Sequence, residues 1–308
     1  MGQNEFWREM KKQLPGKHSA NPPSVKNKLG TASKNAHEFE KFVRDYYQGL
    51  GTLRPESSEF DIEYCKKAIQ VAKKRASEKI PGSESLDRDW TIKELLSALS
   101  EAKNGAPGPD KIGNKVLKAV FGREEDAQAL LELINIVWRE GSVPKKWKHT
   151  IKKPFHKKGA LNDLGNYRGI GLTCCILKIV ERMLDKRLRA FARKHGLLSD
   201  LQLGFRKGRG TIEALMIVFE IIDEAYREDK KLWLTFLDFQ KAYDRVFRAG
   251  LLNTLWECGI RGKAWAFIRD LYALTTCQVK LGKCTRTEQM TKESSRAQSL
   301  ARSFLIFL

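Results

Sequence analysis

The chain has 308 residues, of which 42% are hydrophobic, and this is enough to build a sizeable core. Its 57 Lys and Arg against 37 Asp and Glu leave a net charge of +20, an excess that favours a polyanionic partner, with nucleic acid the leading candidate. No apolar run approaches the ~18 residues that cross a membrane, and the first residues lack an apolar signal core. We therefore expect an intracellular protein, nuclear or cytoplasmic, that is neither secreted nor inserted in a membrane.

The six cysteines form no CxxC pair and no other spacing typical of zinc. In a chain of this length without a secretion signal, we expect them to be reduced core residues. The five histidines do not cluster with them. The sequence therefore predicts no zinc site, and it leaves the oligomeric state open.

The N-terminal part, residues 1–59, is predicted to be a leader and a helical extension. It is basic and contains prolines up to about residue 35, and helical periodicity begins near Glu38. A lysine-rich helix is predicted across Ile62–Glu78. Thr91 and Glu94 then have the spacing of a capping box at the start of an amphipathic helix.

Five further helices are predicted along the rest of the chain. NGAPGPD (104–110) cannot be helical. The predicted helices are Ala127–Trp138 ending at Gly141, Cys174–Lys194 stopped by Gly196, one capped by Thr211, and two near Leu251–Cys258 and Lys263–Leu274, followed by a strand at Cys277–Leu281. The helix after Thr211 has an apolar face that we expect to be buried: Ile212, Leu215, Met216, Phe219, Ile222 and Tyr226.

Asp238 lies in the run Leu232–Phe239, which is otherwise apolar except for Thr235 and is predicted to be a buried strand. A carboxylate in that position is costly unless its charge is compensated. Two interpretations are open from these residues alone: a ligand of Mg²⁺, a hard ion that takes carboxylate and phosphate oxygens, or an aspartate satisfied by backbone donors.

The stretch KKWKHTIKKPFHKK (145–158) holds seven lysines with aromatic residues between them. One interpretation is a solvated basic hairpin, and the other is a surface that contacts phosphate and stacks on bases through Trp147 and Phe155. The two aromatic side chains are equally compatible with buried anchors of the hairpin.

Five segments, in this order, resemble reverse transcriptases, in particular those of non-LTR retrotransposons and group II introns. They are NGAPGPDKI (104–112), PKKWKHTIKKPFHKKGALNDLGNYRGIGLT (144–173), ERMLDKRL (181–188), QLGFRKGRGT (202–211) and DFQKAYD (238–244), and the resemblance extends over roughly residues 60–284. It implies an α+β fold of the right-hand polymerase type, with helix-rich fingers at 60–200 and a palm at 201–285. It also implies template-directed addition of dNTPs to a DNA primer on an RNA template by a two-metal mechanism with Mg²⁺ or Mn²⁺.

The resemblance assigns roles to individual residues. It makes Asp238 the catalytic metal ligand, helped by the backbone carbonyl of Phe239, and Tyr243 the residue under the sugar that favours deoxynucleotides. Arg168 with Lys157 or Lys158 would bind the triphosphate. Template or primer phosphates would meet seven basic residues: Lys145, Lys148, Lys152, Lys153, Arg206, Lys207 and Arg209.

The chain departs from the family's pattern after Asp244. The only acids that remain are Glu257, Asp270, Glu288 and Glu293, so the adjacent aspartates that complete the family's palm are missing. Residues 286–308 are Ser- and Arg-rich and end on five apolar residues, unlike the preceding sequence. We therefore expect a C-terminally truncated domain with an incomplete palm sheet, inactive by itself. A nucleic-acid-binding remnant without enzymatic activity is the alternative.

Overall fold

The computed structural model describes residues 24–27, 29–49, 62–78, 82–157, 159–206, 208–238, 246–273, 275–281 and 284–288. Its helices are α1 (Ala36–Gly49), α2 (Ile62–Ser77), α3 (Glu84–Asp87), α4 (Ile92–Ser100), α5 (Asn114–Phe121), α6 (Glu124–Glu140), α7 (Cys175–Lys194), α8 (Thr211–Arg227), α9 (Arg248–Glu257) and α10 (Gly262–Tyr272). The strands β1 (His149–His156), β2 (Tyr167–Leu172), β3 (Thr276–Leu281) and β4 (Cys284–Glu288) form one sheet in the order β2-β1-β3-β4. The predicted mixture of helices with a small sheet is confirmed.

The chain divides into two compact units. The first takes residues 1–49, 152–170 and 278–287, and the second takes residues 50–151, 171–277 and 288–308. In the described part of the chain, no helix combines the length and the apolar content that a membrane crossing requires.

Local signals in the sequence set most helix boundaries. The Thr91 hydroxyl accepts the Glu94 backbone N–H while the Glu94 carboxylate accepts the Thr91 N–H, so the predicted capping box is present. Gly141 ends α6 in the left-handed region, with φ of 62°. The predicted cap of α8 is wrong: Thr211 is already helical, and Gly210 precedes it, with its N–H donating to the Glu213 carboxylate.

The core of the second unit forms around α7. This helix buries an apolar face that includes Ile179, Met183 and Leu184. An aromatic group packs in the same core, where the rings of Trp90 and Trp138 lie 4.8 Å apart between centroids. The buried cysteines also follow the prediction, since Cys174 and Cys175 lie in this core. Burial raises the pKa of the Cys174 thiol to about 12.

Arg187 is a buried cation within this core. Its guanidinium forms a bidentate pair with Glu94, at 2.8 and 2.9 Å, and lies 3.6 Å from the centroid of the Trp90 ring. It also donates to three backbone carbonyls, those of Leu86, Arg88 and Asp89. Desolvation would raise the pKa of Glu94, but hydrogen bonds from Arg187 and Thr91, with the charge of Arg187, bring it down to about 2. One basic residue of α7 therefore ties together the segment 86–94.

The segment Leu232–Asp238 is not the buried strand that its composition predicts. All of its residues are exposed, with Trp233 at 88% and Leu237 at 85%, and the four-stranded sheet does not include it. The preceding helix α8 buries none of its residues, so the predicted buried face, including Phe219 and Tyr226, is exposed as well. A strand needs a neighbour to accept its backbone hydrogen bonds, and in the described part of the chain this segment has none.

Candidate functional site

The first unit contains the β1–β2 hairpin, which presents a basic outer face to solvent. Lys153, Phe155 and Lys157 alternate along β1 and just beyond it, and all three are exposed. The Lys157 N–H donates to the Asn166 carbonyl at 2.8 Å, and this register places Arg168 of β2 across from Phe155. Arg168 is exposed. The hairpin thus brings Lys153, Lys157 and Arg168 together, whereas Lys158 lies outside the described residues.

Side-chain hydrogen bonds stabilise residues 160–167, which lead into β2. The Asp163 carboxylate accepts the Gly165 N–H at 2.7 Å and caps the short 3-10 turn Leu164–Asn166. The Asn166 side chain donates to the Ala160 carbonyl at 3.1 Å, and the Tyr167 hydroxyl donates to the Leu161 carbonyl at 2.8 Å. Burial raises the pKa of Tyr167. These contacts fix the backbone immediately before Arg168.

Lys152 lies on the opposite face of β1 and corrects one prediction. Its side chain is buried, and its ammonium nitrogen lies 5.1 Å from the centroid of the Tyr47 ring. Its methylene groups run across Gly169, where an added Cβ would lie 2.9 Å from the Lys152 Cδ. Lys152 therefore anchors the hairpin on α1 and does not present its charge to a phosphate backbone, because alternate residues of a strand face opposite sides.

Lys148, in the second unit, corrects a second prediction. Its side chain is only 6% exposed, and its ammonium group pairs with the Asp270 carboxylate at 2.6 Å. The same carboxylate oxygen accepts the Val143 N–H at 2.6 Å. This buried pair holds the segment 143–148 against α10, so Lys148 is not available to nucleic acid. Lys145, one turn earlier, is exposed as predicted.

The loop 199–210 carries the other predicted phosphate ligands. The Arg206 guanidinium donates to the Ser199 carbonyl at 2.7 Å and is half-buried. Arg189 of α7 donates to the Phe205 carbonyl at 2.6 Å, which holds Phe205 at a positive φ of 61°. Arg209 is exposed. Lys207 lies outside the described residues.

Asp238 is the last described residue of its segment, and its carboxylate is exposed. Exposure therefore removes the desolvation cost that a buried carboxylate would carry at this position. Phe239, Tyr243 and Asp244 lie outside the described residues. Among the described residues, no three His, Cys, Asp or Glu side chains form a group that could hold a metal ion. The described donors thus do not fit a two-metal site, for which one carboxylate is insufficient.

Sequence reasoning missed the structural role of Gly108 in NGAPGPD. An added Cβ would lie 2.5 Å from the Thr173 carbonyl carbon and 2.6 Å from the Cys174 nitrogen. The loop backbone therefore packs directly on the junction that links β2 to α7. The glycine between two prolines was the available signal, because close approach of two backbones excludes a side chain.

Comparison with known protein families gives one match for part of the chain. Residues 151–298 match the family described as reverse transcriptase (RNA-dependent DNA polymerase). The matched segment begins inside β1 and extends past residue 285, where the composition changes.

Three relatives from Drosophila melanogaster show which proteins the chain is similar to. The chain is 32% identical to a probable RNA-directed DNA polymerase from transposon BS, over 53% of the chain and 18% of the relative. It is 35% identical to a probable RNA-directed DNA polymerase from transposon X-element, over 49% of the chain and 16% of the relative. It is 33% identical to the RNA-directed DNA polymerase from mobile element jockey, over 52% and 17%.

The resemblance found in the sequence is therefore confirmed: residues 151–298 match the reverse transcriptase family, and about half of the chain is similar to retrotransposon RNA-directed DNA polymerases. The matched residues make up less than a fifth of the length of each of these relatives.

Proposed function

We propose that this segment serves RNA-directed DNA synthesis: it holds an RNA template with a DNA primer and aligns a dNTP for addition. The observation that carries the proposal is the family match over residues 151–298, which begins in the basic hairpin and includes Asp238. In this proposal α4–α7 and the hairpin belong to the polymerase fingers, and the segment with Asp238 belongs to the palm.

The outer face of the hairpin is the proposed grip on the triphosphate. Arg168 binds phosphate oxygens bidentately, and Lys157 with Lys158 adds point charges. Lys153, on the same face of β1 as Lys157, contacts the template or primer backbone together with Lys145, Arg206, Lys207 and Arg209. Lys148 and Lys152 have no direct role in this scheme because they are buried.

Asp238 is proposed to act in the chemical step, and Tyr243 to contact the sugar of the incoming deoxynucleotide. Mg²⁺ or Mn²⁺ would supply charge stabilisation of the transferring phosphate. Because the described donors do not fit a two-metal site and the 308 residues contain no two adjacent aspartates, we expect this chain by itself to bind template and primer without extending the primer.

The test measures binding and synthesis on one RNA template annealed to one labelled DNA primer. We expect binding that weakens steeply as KCl is raised, and no extension with dNTPs and Mg²⁺. Binding that is absent or indifferent to salt would contradict the role in holding nucleic acid. Extension that disappears in Asp238→Ala would establish Asp238 as catalytic and refute the expectation that this chain is inactive.

A further inference from the structure

Helix α2 has one face covered with lysines that the proposed polymerase function does not use. Lys66, Lys67, Lys73 and Lys74 are all exposed and fall within one third of the helix circumference, with the exposed Gln70 between them. We call these four residues the lysine face. The two pairs are separated by two helical turns, or about 10 Å along the axis.

The opposite side of α2 packs against α9. Cys65 and Ala68 are buried, and the Asn253 side chain donates to the Ala68 carbonyl at 3.0 Å. Arg75 donates to the Asn253 carbonyl at 3.0 Å and pairs with Glu257 at 3.3 Å. The helix is therefore held with its lysines outward, and its apolar side is not available for insertion into a lipid surface.

The lysine face is only slightly neutralised by acidic side chains. Within the described residues, no carboxylate lies within ion-pair distance of these four ammonium groups, and the ion pair made by α2 belongs to Arg75. One acid, Glu63, shares the face at its N-terminal end, and it too is exposed. The face thus carries a net charge of +3 from four lysines and one glutamate.

We infer that the lysine face of α2 is a further contact surface for nucleic acid, which binds phosphates of the template–primer duplex at a distance in sequence from the hairpin. The inference rests on the proposed function, since it assumes that the chain holds nucleic acid. Flexible ammonium groups on a fixed helix neutralise phosphates without reading bases, so this contact adds affinity but no sequence preference. Removal of the negative charge of Glu63 should increase the affinity of the lysine face for phosphates.

The experiment measures binding of the 308-residue chain to a labelled RNA–DNA hybrid duplex by fluorescence anisotropy over a KCl series. The test variant changes Lys66, Lys67, Lys73 and Lys74 to Gln. The control variant also changes four exposed lysines to Gln and so has the same net charge. They lie on α4, on α5 and in the segment between these helices: Lys93, Lys103, Lys111 and Lys115. A third variant, Glu63→Gln, tests for a gain. Thermal unfolding by circular dichroism verifies that all of them fold.

We expect the test variant to lower the slope of log K against log salt by about 3 to 4, since each lost phosphate contact removes about 0.9. The control should lower it by less than half as much, and Glu63→Gln should bind more tightly. An unchanged slope, or equal losses in both lysine variants, would overturn the inference while leaving the proposed function intact. Failure of the unmodified chain to bind would instead contradict the proposed function. Binding to vesicles of phosphatidylserine and phosphatidylcholine is measured in parallel. Binding to these vesicles without binding to the hybrid duplex would overturn both the inference and the proposed function.

Discussion

At the scale of single residues, the basic side chains of this protein lie in three different environments. Arg187 is buried against Glu94 and Trp90, Lys148 is buried against Asp270, and Arg168 is exposed on β2. Their neighbours in sequence do not distinguish them, because the partner acids lie far along the chain. An overall charge of +20 therefore indicates a polyanion partner but does not say which cations meet it.

Glu181 of α7 gives a prediction at this scale. Its side chain is buried, and desolvation raises its pKa to about 8 even though Lys178 acts in the opposite direction. The folded pKa lies above the ordinary value of 4.5, so the folded state holds a proton that the unfolded state releases between these two values. Stability should therefore fall as pH rises from about 4.5 to 8, by at most about 1.4 kcal/mol per pH unit from this one group.

Glu181→Gln removes that linkage. We expect urea unfolding of this variant to show a flatter dependence of the unfolding free energy on pH between 5 and 8 than the unmodified chain shows. The matched control is the same substitution at an exposed position of α8, Glu220→Gln. Identical pH profiles for the Glu181 variant and the unmodified chain would contradict a neutral, buried Glu181.

At the scale of secondary-structure elements, periodicity and capping chemistry predicted most of the helices. Those signals are local, and they found α2, α4, α6, α7, α9 and α10 to within a few residues. The predicted burial of α8 and of Leu232–Asp238 was wrong because burial depends on what packs against an element, and no local pattern supplies that partner. Likewise, strand alternation on β1 was hidden in a run of lysines, so Lys152 and Lys153 were assigned the same role although they face opposite sides.

Gly108 gives a prediction for the contact between its loop and the junction of β2 with α7. Gly108→Ala places a methyl group about 2.5 Å from the Thr173 backbone, and the resulting backbone shift should lower stability by roughly 1–3 kcal/mol. Gly105→Ala, in the same NGAPGPD segment, is the matched control because an added Cβ there meets nothing within 4 Å. Guanidinium unfolding of both variants measures the difference. Equal stabilities would show that the loop does not depend on this close approach.

At the scale of the whole molecule, apolar side chains are exposed on two consecutive segments, α8 and 231–238. Met216, Phe219, Trp233 and Phe236 are each at least 60% exposed. Exposed apolar surface of this kind favours association. The second of these segments is the one in which the sequence predicted a buried palm strand.

We therefore expect the isolated chain to self-associate through these segments. Met216→Ser with Phe219→Ser should lower binding of an apolar fluorescent dye and shift the chain towards monomer in size-exclusion chromatography. The same variant should leave the melting temperature nearly unchanged, because neither side chain is buried. A monomeric unmodified chain with a cooperative melt would contradict this expectation.

In the function proposed above, the β1–β2 hairpin binds a nucleoside triphosphate in a polymerase active site. The direct measurement is photolabelling of the 308-residue chain, bound to RNA template and DNA primer, with a dATP that carries an azidoanilide on its terminal phosphate. Mass spectrometry should locate the label in peptides from residues 152–170, and unmodified dATP should compete for it. Labelling should be lost in Arg168→Met but retained in Arg193→Met, an exposed arginine of α7. Label that falls outside the hairpin, or that Arg168→Met leaves unchanged, would contradict the claim.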